Sequence, residues 1–288
     1  MIGHKPFARG LSAGFMHELI RGRFTPLLRA SLDRGLDLQI REKYINVYAS
    51  GRSVLKLTET RMGYEADIHG KYLVDTPLPQ ARMVADEYHR FTADDAFVQA
   101  YLAGVETIIS NAVPPKAETR EATIEERIIR HSYVEDSPIV FIDRQIRAHG
   151  ISKQLDLIGL STSVEGETTA LLVEIKQRLD NRIQKLMTQI GEYHAVFAPG
   201  GRLRQDVTSS YQTVVHQKKQ LGVIPDNVTF PSQPPRVQCL LVLYAYDPKS
   251  RLLDRLRESA RSSALRPKLV LIEEGCYGLP PSEEWEQL

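Results

Sequence analysis

Two short segments constrain this chain more than any others. They are Leu155-Asp156-Leu157-Ile158-Gly159-Leu160 and Leu171-Leu172-Val173-Glu174-Ile175-Lys176. Both read as strands buried on two faces, which are normally near-continuous in Val, Ile and Leu. Each nevertheless carries charge inside its apolar run. A buried charge is costly unless it is paired or holds a metal. Residues two apart in a strand project to one face, so Glu174 and Lys176 point together. The stretch between the segments, residues 161–169, is polar and contains Gly166, which suits a hairpin loop. Pairing the two strands then brings Asp156 within reach of Glu174. Two converging carboxylates beside a carbonyl such as that of Ile175 make an oxygen-rich site of the kind Mg²⁺ and Mn²⁺ prefer. Such an ion polarises a phosphoryl oxygen and acidifies a bound water. Lys176 is placed to stabilise developing charge or to orient that water.

The rest of the chain supplies the frame. At 288 residues it is long enough for one large domain or two modest ones. Residues 11–34 carry a helical apolar stripe that Gly22 and Pro26 bend or split. Several short β-branched or aromatic segments follow, with Ser50-Gly51-Arg52 as a hairpin-turn candidate. Residues 80–110 read as helix, carrying Met83, Val84, Tyr88, Phe97, Tyr101 and Val105. This predicts an N-terminal α+β module of helix, β-meander and helix over residues 1–115. Pro114-Pro115 stops the helix and marks the boundary. From 116 to 288 helices and strands alternate: helix 122–134, strands near 138–146, 153–160 and 169–176, helix 181–197, strand 237–246, helix 249–262 and strand 267–273. Alternation of that kind predicts an α/β domain with a mixed central sheet flanked by helices. An insertion at about 199–236 holds its own helix, near 206–221, and a Pro-rich exit.

Composition excludes little. The net charge of +1 argues against a polycation that coats nucleic acid, while 37 basic residues leave room for a local basic groove. Arg178, Arg182 and Lys185 beside the second charged strand, and Arg202, Arg204, Lys218 and Lys219 in the insertion, are candidates to line one. A solvated basic face accounts for the same residues. Cys239 and Cys276 form no metal-binding pattern and read as buried free thiols of a reducing compartment. No apolar run approaches the length of a membrane span. A cytoplasmic location is expected, with no membrane partner.

Asp156 followed by Glu174-Ile175-Lys176 resembles the PD-(D/E)xK nuclease superfamily, and the element order from residue 122 is similar to its restriction-endonuclease-like core. The resemblance covers about residues 120–275. Leu155 stands where the family's naming proline would be. Asp247-Pro248-Lys249 also fits an Asp-x-Lys pattern, but at a turn rather than inside a strand. The family often carries a glutamate on its first core helix, where this chain has Glu125 and Glu126. Glu126 is the expected one, because Ile129 and Tyr133 follow it as apolar neighbours. Gln189 and Tyr193 match the Gln-x-x-x-Tyr motif of the RecB-like and lambda-exonuclease-like branches. The resemblance implies a Mg²⁺- or Mn²⁺-dependent phosphodiesterase acting on nucleic acid, DNA before RNA, with defence or repair as its setting. It implies Asp156, Glu174, Ile175 and Glu126 as metal ligands, Lys176 as the assistant of the attacking water, and Gln189 and Tyr193 as supports. Residues 1–115 would then serve recognition, homodimerisation or regulation. Two alternatives stay open: a catalytically inactive nucleic-acid-binding or assembly protein on a nuclease fold, and a metal-dependent hydrolase of a small phosphoester.

Overall fold

The computed structural model describes residues 7–79, 82–84, 87–113, 121–134, 137–147, 151, 154–163, 166–177, 185–198, 200–201 and 204–288. The chain divides into two compact units. One comprises Arg9–Glu126 with His216–Asp226, the other Met1–Ala8, Arg127–Val215 and Asn227–Leu288.

The first unit opens with two helices, α1 (Ala13–Ile20) and α2 (Thr25–Asp33). Ser12 caps α1 by accepting the Phe15 N–H, and Pro26 sits in the first turn of α2. Between them Gly22 is required sterically, since a Cβ there would lie 2.8 Å from the Glu18 backbone. A six-stranded sheet follows: β1 (Asp37–Ile40), β2 (Tyr44–Ala49), β3 (Arg52–Thr60), β4 (Gly63–His69), β5 (Arg82–Met83) and β6 (Tyr88–Thr92). Its order is β1-β2-β3-β4-β6-β5, antiparallel throughout. Ser50 and Gly51 join β2 to β3, both with positive φ (50° and 74°), as a two-residue type I′ turn demands. Leu38, Ile45, Val47, Leu55, Leu57, Ala66 and Ile68 from these strands are all buried in the core.

Helix α3 (Asp95–Ala112) completes this part. The helix expected over 80–110 therefore starts only at Asp95, and Met83 and Tyr88 lie on strands instead. The reason is local: Asp94 takes the Phe97 N–H as an N-cap, and residues 88–92 pair with β4. Pro114 and Pro115, expected to mark the domain boundary, lie outside the described residues. The division between units falls later, within α4 (Glu121–His131).

The second unit is built on a mixed sheet of β7 (Ile139–Ile146), β8 (Leu155–Thr162), β9 (Thr168–Gln177), β10 (Arg236–Tyr244), β11 (Lys268–Ile272) and β12 (Glu286–Gln287). The order is β12-β11-β10-β9-β8-β7. β7, β8 and β9 form an antiparallel meander, whereas β9, β10 and β11 run parallel. Parallel neighbours need crossover connections. Helices α5 (Leu186–Phe197) and α6 (Arg204–Gln220) supply the first, and α7 (Arg251–Arg261) the second. Leu240, Leu241, Val242 and Leu243 on β10 are fully buried, as a central strand covered on both faces requires. The architecture is thus a helix–meander–helix segment followed by helices flanking a second, mixed sheet.

The insertion helix α6 also differs from expectation, because its end belongs to the first unit. Gln217 exchanges hydrogen bonds with the backbone of Leu11, at 3.0 Å and 2.8 Å. Lys218 donates to Gln39 at 2.9 Å. No helix among the described residues is long and apolar enough to cross a membrane.

Candidate metal centre

The register of β8 and β9 pairs Leu157 with Val173 at one end of the ladder. Asp156 and Glu174 are the next residues outward on each strand, so their side chains leave the same face. Asp156 Oδ2 accepts the Ile175 N–H at 2.7 Å. Lys176, two residues beyond Glu174, turns its Nζ to the Ile175 carbonyl at 2.5 Å. That ammonium lies 3.6 Å from Asp156 Oδ2 and 3.9 Å from Glu174 Oε2. Three charges two residues apart or directly across a ladder thus meet at one point. Glu174 is fully buried, and Lys176 and Asp156 are nearly so.

Helix α5 holds this point in place. Gln189 Nε2 donates to Glu174 Oε2 at 2.8 Å and to the Gln154 carbonyl at 2.9 Å. One amide thus fixes the glutamate to the segment leading into β8. Tyr193, one turn later and fully buried, donates its hydroxyl to the Ile146 carbonyl at 2.7 Å. It anchors α5 to the end of β7. Gly191 between them is close to Leu265, whose Cδ1 a Cβ would approach to 3.3 Å.

The electrostatics follow from burial. Loss of water pushes the Glu174 carboxyl up to about 10; the Asp156 charge pushes the same way and Lys176 opposes. Among the described residues its buried Oε1 has no hydrogen-bond donor. A buried carboxylate oxygen without a donor is expensive, and a cation would satisfy it. The donor set is all oxygen, which fits a hard divalent ion rather than a thiophilic one. Asp156 and Glu174, both close to the Lys176 ammonium, are acidic side chains able in principle to chelate a divalent cation.

The glutamate on α4 is placed differently from expectation. Glu126 points its carboxylate at the β2–β3 turn, where the Ser50 and Gly51 N–H groups donate to it at 3.1 and 2.6 Å. Successive N–H groups in such a turn form an anion-holding nest. Glu126 therefore caps a hairpin.

The basic candidates divide. Arg178, Arg182 and Arg202 lie outside the described residues. Lys185 is exposed just before α5, and Lys219 is partly exposed. Arg204 is half-buried and donates to the Pro234 carbonyl at 3.1 Å. Lys218 is fully buried against Gln39, so it cannot line a surface groove. Of the two free thiols, Cys239 is buried as expected but Cys276 is exposed. Asp247 makes a local turn, accepting the Lys249 N–H at 2.9 Å.

No protein-family model, curated protein or solved structure matches this chain.

Proposed function

We propose that the second unit is a metal-dependent nuclease of the PD-(D/E)xK type, hydrolysing phosphodiester bonds of nucleic acid, DNA before RNA. The observation that carries the proposal is the convergence of Asp156, Glu174 and Lys176 on one buried point. Binding alone requires none of the three, whereas phosphoryl hydrolysis uses all of them. Asp156 and Glu174 would hold Mg²⁺ or Mn²⁺. When bound, the ion supplies Lewis acidity at the phosphoryl oxygen and a more acidic water. Lys176 orients the attacking water and offsets the charge that grows on the phosphoryl oxygens. Gln189 keeps Glu174 aimed while its proton is lost, and Tyr193 keeps α5 seated.

The test is direct. Purified protein is incubated with single- and double-stranded DNA and RNA, in Mg²⁺, Mn²⁺ or EDTA, beside Glu174→Gln and Lys176→Met. The proposal expects cleavage only with metal, lowered about 10²-fold or more in each variant, the cost typical of removing one preorganised charge-stabilising group. Cleavage that persists in EDTA, or undiminished in both variants, would refute it. Nucleic-acid binding without cleavage under every condition would instead make the chain an inactive binder on this scaffold.

A further inference from the structure

The second unit carries an open cleft of about 420 Å³ that shares no residue with Asp156, Glu174 and Lys176. Its described lining is Arg127, Arg130, His131, Val134 and Tyr277, with no carboxylate among them. The first four recur at spacings of three and four, so they form one stripe along α4 and just past its end. Arg130 and His131 are exposed.

Arg127 packs on Tyr277. Its guanidinium lies 4.9 Å from the Tyr277 ring centroid and donates to the Tyr277 hydroxyl. Tyr277 in turn stacks on Tyr244, with centroids 5.6 Å apart and planes 13° from parallel. The Tyr244 hydroxyl accepts the Gly275 N–H at 2.8 Å. Cations in the last turn of a helix also complement its negative end. That effect rewards charge alone and does not account for a guanidinium locked onto a tyrosine pair.

The location is equally specific. Tyr244 is the last residue of β10, and Tyr277 follows the end of β11. Open α/β sheets bind ligands outside the carboxyl ends of their parallel strands. The residue after Tyr244, Ala245, has φ 52°, a left-handed conformation unusual for a residue with a Cβ. Strain of this kind clusters at ligand sites.

We propose that this cleft seats a backbone phosphate of the nucleic-acid strand away from the bond that is cut. Arg130 and His131 reach the phosphate from α4, and the fixed Arg127 fork sets its position. Arginine suits the role because its planar donors match phosphate oxygens. Such contacts fix register without reading sequence. The inference rests on the nucleic-acid reading above and adds a strand-positioning surface to it.

The test is binding of a fluorescent single- or double-stranded oligonucleotide in EDTA, where no cleavage occurs, over a series of salt concentrations. The parent is compared with Arg130→Gln, His131→Gln and Arg130→Glu, and with Arg255→Gln on α7 as a remote exposed cation. The expectation is a salt slope shallower by about 1 in Arg130→Gln and affinity about 3- to 10-fold weaker in each of the two neutral cleft variants. Charge reversal weakens it further, and Arg255→Gln leaves slope and affinity close to the parent. Cleft variants that bind like the parent, or equal losses at Arg255, overturn the proposal, as does failure of the parent to bind at low salt. The two readings fail separately. Metal-dependent cleavage with unchanged cleft variants sinks only this inference, and cleft-dependent binding without cleavage sinks only the nuclease.

Discussion

Glu174 is fully buried, and its Oε1 has no hydrogen-bond donor among the described residues, so its charge state is set by its neighbours. Burial first, then the Asp156 charge, moves its pKa to about 10 against the pull of Lys176. In the metal-free protein the folded state therefore keeps a proton that the unfolded chain gives up above about 4.5. Stability from this group is complete below that value and is lost as pH rises towards about 10. Gln is an isostere of the protonated acid. Glu174→Gln should change stability by less than about 1 kcal/mol at about pH 4, where both side chains are neutral, and should gain on the parent as pH rises, flattening this part of the pH profile. Thermal melts across pH check it. A loss of several kcal/mol at neutral pH would mean that Glu174 is a charged structural partner. Lys218 runs the other way. Burial lowers it to about 7, so the unfolded chain binds the extra proton between there and 10.5, and stability rises with pH over that window. Lys218→Met should abolish the rise; a rise that persists in the variant assigns it to another group.

At the scale of elements, the β2–β3 turn and α4 depend on one another. Glu126 takes two turn N–H groups, and Thr123 Oγ1 donates to the Ser50 carbonyl at 3.0 Å. Glu126→Ala removes the acceptor for both donors and should cost about 1–3 kcal/mol, measured by denaturant unfolding. The folded variant should still bind metal and cleave, whereas a metal ligand at this position would lose both. Gly51→Ala should be at least as costly. Gly51 has φ 74°, and a Cβ would stand 2.6 Å from the Ala122 carbonyl carbon. The same elements show what the sequence made legible. The charged strand pair, the Gln189 and Tyr193 helix and the hairpin at Ser50-Gly51 were readable, because period-two strands and turn chemistry are local signals. The choice between Glu125 and Glu126 was not. Both lie on one helix, and which face meets which partner depends on contacts distant in sequence. Tyr88 on a strand was missed because its apolar neighbours also fit a helical period. Lys218 was misplaced because nothing local distinguishes a buried lysine from a solvated one.

At the scale of the whole molecule, the mixed sheet of the second unit joins a meander to a parallel set, and the charged point lies where β8 and β9 leave their ladder. The first unit contributes a separate antiparallel sheet and includes residues 216–226. That return of the insertion could not be read from sequence, since it rests on Gln217 and Lys218 finding partners about 200 and 180 residues earlier. The account as a whole stands on Asp156 and Glu174 sharing one cation. The most direct measurement is a Mn²⁺ titration of the nucleic-acid-free protein, followed by the spectroscopic signal of free Mn²⁺, for the parent, Asp156→Asn and Glu174→Gln. Metal uptake requires Glu174 to lose its proton, so affinity should strengthen with rising pH. The account predicts saturable binding by the parent that weakens at least about tenfold in each variant, a loss on the scale of one charge-assisted contact. Equal Mn²⁺ affinity in the parent and both variants would contradict it.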